Sequence, residues 1–200
     1  MAKAMQKLMS KGNEKLDKTI LGWSITPIKS CLNCSQCKGT CYAVKPYNRY
    51  PAVKLAWDRN FELAKSGEFM KNIIDQLERV NGAVVVRIHV SGDFFSQDYI
   101  DAWETIAKIF PDVKFYTYTK VMHMFDFSSI TSLDNVNIIN SIAEDGKPNF
   151  GDNDRVNELV SMGYRVCPAT VKGNDIICGG NHKNSCTLCQ TYNKVCFHKH

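Results

Sequence analysis

With 200 residues, 44% of them hydrophobic, the chain can bury the core of one domain. No run of about 18 apolar residues occurs, so no membrane span is expected. The lysine-rich opening, Met1 to Lys18, lacks the apolar segment of a signal peptide, so a cytoplasmic rather than secreted destination is expected.

The net charge of +5 is unevenly spread. Residues 1–60 hold eleven Lys/Arg against three Asp/Glu, residues 61–166 hold ten against sixteen, and residues 167–200 hold four against one. The basic excess therefore accompanies two groups of cysteines. It suits charge compensation beside an anionic cluster, attraction of an anionic partner or nucleic acid, or a plain solvated lysine-rich helix.

In chain order, residues 2–18 suit a helix interrupted near Gly12, and 22–48 read as loop. Pro51–Ser66 and Glu68–Val80 carry apolar residues at helical spacing, with Pro51 suited to a first turn and Asn81-Gly82 to an end. Ala83–Val90 (AVVVRIHV) is a β-branched run and reads as a buried strand, broken by Gly92. Ser96 caps a helix through Phe110, with Tyr99, Ala102, Trp103, Ile106 and Ile109 on one stripe. Further strands are predicted at Val113–Thr119, Val136–Ala143 and Tyr164–Cys167. A short helical or irregular piece covers Met122–Ile130. A polar loop (145–154) and a short helix (155–162) precede the last strand. After Pro168 the chain is rich in turns and cysteines.

Strand–helix–strand alternation argues for an α/β fold with a parallel sheet and right-handed crossovers. Four strands are too few for a closed eight-stranded barrel, so a partial, open parallel β/α barrel is expected. We treat residues 1–200 as a single domain: a basic segment with the first cysteine group (1–50), a β/α core (51–167) and a cysteine-rich C-terminal segment (168–200).

Nine cysteines fall into two groups with none between Cys41 and Cys167. An odd number, in a chain with an ordinary α/β middle, points to metal rather than to a disulfide framework. Cys31, Cys34, Cys37 and Cys41 have the spacing C-x2-C-x2-C-x3-C of a bacterial ferredoxin run, in which three cysteines hold one [4Fe–4S] cluster. Gly39 permits a tight turn. A zinc site of four thiolates is the competing reading. Cys167, Cys178, Cys186, Cys189 and Cys196 form the second group. They suit a second cluster, completion of the first, or zinc with His182 or His198. One cluster or two is thus expected, and Cys167, Cys178, Cys186 and Cys189 are the metal candidates.

Ligands of parallel sheets sit beyond the carboxyl ends of the strands. At the first such end stand His89, Ser91 and Asp93. At period two, Arg87, His89 and Ser91 should share one strand face, with His89 either an acid–base group or part of an internal hydrogen-bond network. Asp93 has a second reading as a helix cap. Tyr116, Tyr118 and Lys120 share a face at the next end. Tyr116 and Tyr118 suit packing; Lys120 is the better site candidate, an ordinary solvated lysine being the default reading. Asn140 lies on the third strand. His89, Ser91, Asp93 and Lys120 are therefore the candidate catalytic residues.

The stretch RIHVSGDFFSQDYIDAWETIAKIFPDVKFYTYTK (Arg87 to Lys120), with Cys37-Lys-Gly-Thr-Cys41-Tyr42-Ala43 upstream and Cys167-Pro168-Ala169-Thr170 downstream, resembles the phage and prophage family called gene product 88, over roughly residues 20–190. The resemblance implies a shortened, radical-SAM-like partial barrel carrying an iron–sulfur cluster. Radical-SAM enzymes hold their cluster with C-x3-C-x2-C, whereas Cys34, Cys37 and Cys41 run in the reverse spacing. No clear Gly-Gly-Glu element is present, so SAM use is not expected.

The reading these residues favour is a non-redox [4Fe–4S] enzyme. An open iron would act as Lewis acid on a small-molecule ester or amide, or in a dehydration. The alternatives are a radical-SAM-like enzyme with altered spacing, and an iron–sulfur protein that binds nucleic acid or senses redox state. Nucleic acid is not the favoured partner, and no membrane partner is expected.

Overall fold

The computed structural model describes residues 7–12, 18–34, 37–39, 41–80, 84–141, 165–167, 176–178 and 195–197. Its main sheet has six strands in sequential order: β1 (Ser10–Lys11), β2 (Ile20–Ser24), β3 (Val85–Ser91), β4 (Lys114–Thr119), β5 (Val136–Ser141) and β6 (Arg165–Cys167). β1 pairs antiparallel with β2, and every later pairing is parallel. The helices are α1 (Val44–Arg49), α2 (Pro51–Ala64), α3 (Phe69–Leu77), α4 (Gln97–Ile109) and the short α5 (Ser128–Thr131). A separate parallel pair joins β7 (Ile176–Cys178) to β8 (Val195–Phe197).

Sequential order with parallel pairing means that each crossover steps one strand onward in the same direction. α3 packs on α4 and α4 on α5, so these helices form one layer over one face of the sheet, as crossovers of constant hand require. The core lies between that layer and the sheet. α3 contributes Phe69, Ile73 and Leu77, four residues apart, and α4 contributes Tyr99, Ile100, Trp103, Ile106 and Ala107. The centre is aromatic: Trp23 meets Phe69 at 5.6 Å and Trp103 at 6.2 Å between ring centroids, and Phe69 meets Trp103 at 5.4 Å. Such edge and tilted pairs add about 1 kcal/mol each beyond the area they bury.

The predicted helices over α2, α3 and α4 are present, as are the strands at β3, β4, β5 and β6. Ser96 caps α4, its hydroxyl accepting the Tyr99 N–H at 3.3 Å. Ile109, expected on the buried stripe, is exposed at the end of α4.

Three expectations are corrected. The described part of 2–18 holds the edge strand β1 rather than a helix, because the fully buried strand β2 takes it as antiparallel partner. The stretch 22–48 is not all loop: β2 runs into it and α1 occupies its end. Pro46 does not break α1 because it sits in the first turn, where no N–H is needed. The predicted elements at 145–154 and 155–162 lie outside the described residues.

The third correction concerns β3. Gly22 pairs with Arg87 and Ser24 with Ser91, so β3 carries two more residues than β2 over the same span. This bulge centres on His89, whose φ is +61°. Arg87, His89 and Ser91 therefore do not share a face: Ile88 and His89 are consecutive and both buried, and the alternation changes phase there.

Candidate functional site

The described candidates gather at the carboxyl edge of the parallel sheet. The chain leaving β2 folds over the end of β3. Ile25 N–H donates to the Ser91 carbonyl at 3.0 Å, and Ser91 Oγ donates back to the Ile25 carbonyl at 3.0 Å. A turn through Pro27–Ser30 follows, closed by Ser30 Oγ donating to the Thr26 carbonyl at 2.7 Å. This turn lies so near Gly92 that a Cβ there would stand 2.3 Å from Ile25 Cγ1 and 2.6 Å from Ser30 Oγ. Gly92 also has φ +90°, a conformation only glycine adopts without strain.

The cysteine loop starts from this turn and is tied to two strand ends. Asn33 Nδ2 donates to the Lys120 carbonyl at 3.0 Å, just past β4. Tyr42 Oη donates to the Val90 carbonyl at 2.5 Å in β3. Cys34 is buried, Cys31, Cys37 and Cys41 are half-buried, and none of the four is in a disulfide.

Two of the four thiols feel charged neighbours. Burial pushes the Cys31 thiol up to about 12, and the Asp93 carboxylate and Cys34 add to the rise. Burial also raises Cys37, where the Lys120 ammonium opposes the rise and Cys34 and Cys41 reinforce it. Cys31 thus senses Asp93 and Cys34, while Cys37 senses Lys120, Cys34 and Cys41. A nearby cation or a bound metal would favour the thiolate form that burial disfavours. This all-thiol donor set on a short loop suits zinc or an iron–sulfur cluster. Among the described residues, no three His, Cys, Asp or Glu side chains form a group that could hold a single metal ion.

Asp93 joins β3 to β4. Its Oδ1 accepts the Thr119 hydroxyl at 2.7 Å and the Phe94 N–H at 2.8 Å, and its Oδ2 accepts the Lys120 N–H at 2.9 Å. Burial pushes its pKa up, against the pull of these donors and the Lys120 charge. Lys120 is half-buried. Ser91 is buried with its hydroxyl committed to Ile25.

His89 lies on the helix-covered side, in the aromatic core. Its ring meets Phe94 edge-on at 4.6 Å, and Nε2 stands 3.1 Å from Tyr99 Oη. Trp23 Nε1 donates to the same hydroxyl at 2.8 Å. The Tyr99 proton is thus free to go to Nε2, which leaves the neutral imidazole protonated at Nδ1. Burial pushes the His89 pKa down to about 3. Arg87 lies on the other face, its guanidinium 5.7 Å from the Tyr118 ring centroid.

Sequence reasoning missed Asn33, Tyr42 and Thr119. Asn33 and Tyr42 lie within or beside the cysteine run, which was the available signal. Thr119 alternates with Thr117, so both face the helices. Asn140 is fully buried on β5, and among the described residues neither its amide nitrogen nor its oxygen has a hydrogen-bond partner. Cys167, Cys178 and Cys196 fall in β6, β7 and β8. Cys186, Cys189, His182 and His198 lie outside the described residues.

The fold and edge define an α/β protein with a largely parallel, sequentially ordered sheet and a cysteine loop bound to its carboxyl end. The chain belongs to the gene product 88 family, whose model matches residues 3–187. It is 29% identical over 112 residues to the Gene 88 protein of Mycobacterium phage D29, covering 51% of this chain and 47% of that protein. It is 30% identical over 110 residues to the Gene 88 protein of Mycobacterium phage L5, covering 50% and 46%. The chain thus aligns with about half the length of these phage relatives. No solved structure matches it. No helix among the described residues is long and apolar enough to cross a membrane.

Proposed function

We propose that this chain is an iron–sulfur protein whose run Cys31, Cys34, Cys37 and Cys41 holds a [4Fe–4S] cluster through three of its members at the carboxyl edge of the sheet, and that it acts there on a small molecule by hydrolysis of an ester or amide, or by dehydration. The observation that carries the reading is four cysteines on one loop, none in a disulfide, with that loop hydrogen-bonded to the ends of β3 and β4. An iron–sulfur cube spaces its thiolates more widely than a single ion does, so a cluster needs no tight three-ligand group.

Held by three of the four cysteines, such a cluster would supply Lewis-acid chemistry at its unligated iron. The chain's own residues divide the remaining work. Lys120, half-buried and beside Cys37, supplies a positive charge for developing negative charge on a substrate oxygen. Asp93 fixes the backbone of Lys120 by accepting its N–H. Ser91 holds the loop's root through Ile25. His89 keeps the bulge of β3 in place from the core side and is a positioning residue in this account.

The test is hydrolysis of para-nitrophenyl acetate by anaerobically prepared protein. Cys37→Ser should lose both iron and turnover. Lys120→Met should keep its iron and lose turnover. Equal turnover by cluster-free and cluster-loaded protein would overturn the enzymatic reading.

One observation favours a second reading. Five parallel strands in sequential order are what an open β/α barrel of the radical-SAM type would use. In that case reduced protein incubated anaerobically with SAM should release 5′-deoxyadenosine, and no release would remove it.

A further inference from the structure

We infer that the exposed stripe of α1 and its leading turn is a docking surface for single-stranded nucleic acid. No acidic residue lies between Asp17 and Asp58, while Lys29, Lys38, Lys45 and Arg49 are all exposed in that interval. No carboxylate pairs with any of these four among the described residues. Lys54 is different: its ammonium is committed to Asp58 and Tyr47.

Two aromatic rings stand among these cations. Tyr42 is 65% exposed and Tyr50 49%. Buried hydrophobic residues need no partner, but an exposed ring held at a fixed angle invites one. The Tyr42 ring is pinned, because its hydroxyl donates to the Val90 carbonyl while most of the residue stays exposed. The Tyr50 ring carries the Arg49 guanidinium 5.4 Å from its centroid. Tyr42, Lys45 and Arg49 stand at i, i+3 and i+7, which places them on one stripe of α1 and its leading turn.

Cations spaced along a stripe follow a phosphate backbone, and exposed aromatic rings provide stacking platforms for unpaired bases. An acidic protein would engage the charges but would have no use for the rings. A duplex hides the base faces that the rings would stack on. The combination therefore favours a single strand, and it does not depend on whether the cysteines hold a cluster.

The experiment is fluorescence anisotropy of a labelled oligo-dT strand against the full chain over a range of salt concentrations. Binding should weaken with salt, each phosphate contact contributing about −0.7 to the slope of log K against log salt. Lys45→Ala/Arg49→Ala should make that slope shallower by about 1.4, two contacts' worth. Tyr42→Ala should weaken binding about tenfold with the slope unchanged, and circular dichroism confirms that both variants fold. The inference is overturned if oligo-dT does not bind at low salt, if Lys45→Ala/Arg49→Ala binds like the parent chain, if a duplex of equal length binds as tightly, or if poly-glutamate of equal charge competes as well as oligo-dT.

Discussion

His89 and Tyr99 meet at 3.1 Å between Nε2 and Oη, a contact that joins the bulge of β3 to the first turn of α4. It turns a strand-end histidine, a residue type that invites an acid–base assignment, into a neutral core group. Two measurable consequences follow from it.

The first is a pH dependence. The unfolded histidine takes up a proton below about pH 6.5, whereas burial holds the folded one down at about 3. Between those values the unfolded state binds more protons, so stability is lost as pH falls from 6.5 toward 3. At pH 5 the loss relative to neutral pH is about 2 kcal/mol. His89→Asn removes the titrating group with a residue that tolerates positive φ. Urea unfolding at pH 7 and pH 5 should show the parent chain losing this increment and the variant lacking most of it.

The second concerns Tyr99→Phe. The change leaves Trp23 Nε1–H and His89 Nε2 buried without their shared partner. Each unsatisfied group costs on the order of 1–3 kcal/mol, so chemical denaturation should show a loss of roughly 3 kcal/mol. A loss below about 1 kcal/mol would mean that water or a neighbour replaces the hydroxyl.

Gly92→Ala should be more damaging than a surface glycine change. The new methyl would meet Ile25 and Ser30 well inside contact distance, at a backbone angle that disfavours any side chain. The expected cost is about 3 kcal/mol. Gly67→Ala, where nothing stands within 4 Å, is the control and should cost far less. Thermal unfolding of both variants checks this.

Asn33→Ala removes the bond from the cysteine loop to the Lys120 carbonyl. Stability should fall by about 1 kcal/mol. Because the loop loses its tie to β4, anaerobically prepared protein should also lose iron to a chelator faster than the parent chain. Unchanged iron retention would mean that Tyr42 and the turn at Ser30 suffice to hold the loop.

Much of this fold is legible in the sequence. α2, α3 and α4 announce themselves by period, and Ser96 by its position before an apolar stripe. β3 and β4 are β-branched or aromatic runs, bounded by Gly92 and by Pro111-Asp112. β2 was hidden because ILGWS is buried on both faces and contains Gly22, so it shows no alternation. α1 was hidden because Pro46 reads as a breaker away from its context. The facing of His89 was illegible because a bulge depends on the neighbouring strand's register. The cysteine spacing marked the loop, but its anchors, Asn33 to Lys120 and Tyr42 to Val90, join residues far apart in sequence. Only the folded chain brings them together.

The account rests on the N-terminal cysteine run binding an iron–sulfur cluster. The direct measurement is metal and acid-labile sulfide content, with an absorption spectrum, on protein prepared strictly without oxygen. We expect about four irons and four sulfides per chain, or twice that if the C-terminal cysteines hold a second cluster, together with a broad brown absorption that Cys34→Ser abolishes. A colourless sample containing zinc, or containing neither metal nor labile sulfide, would contradict it.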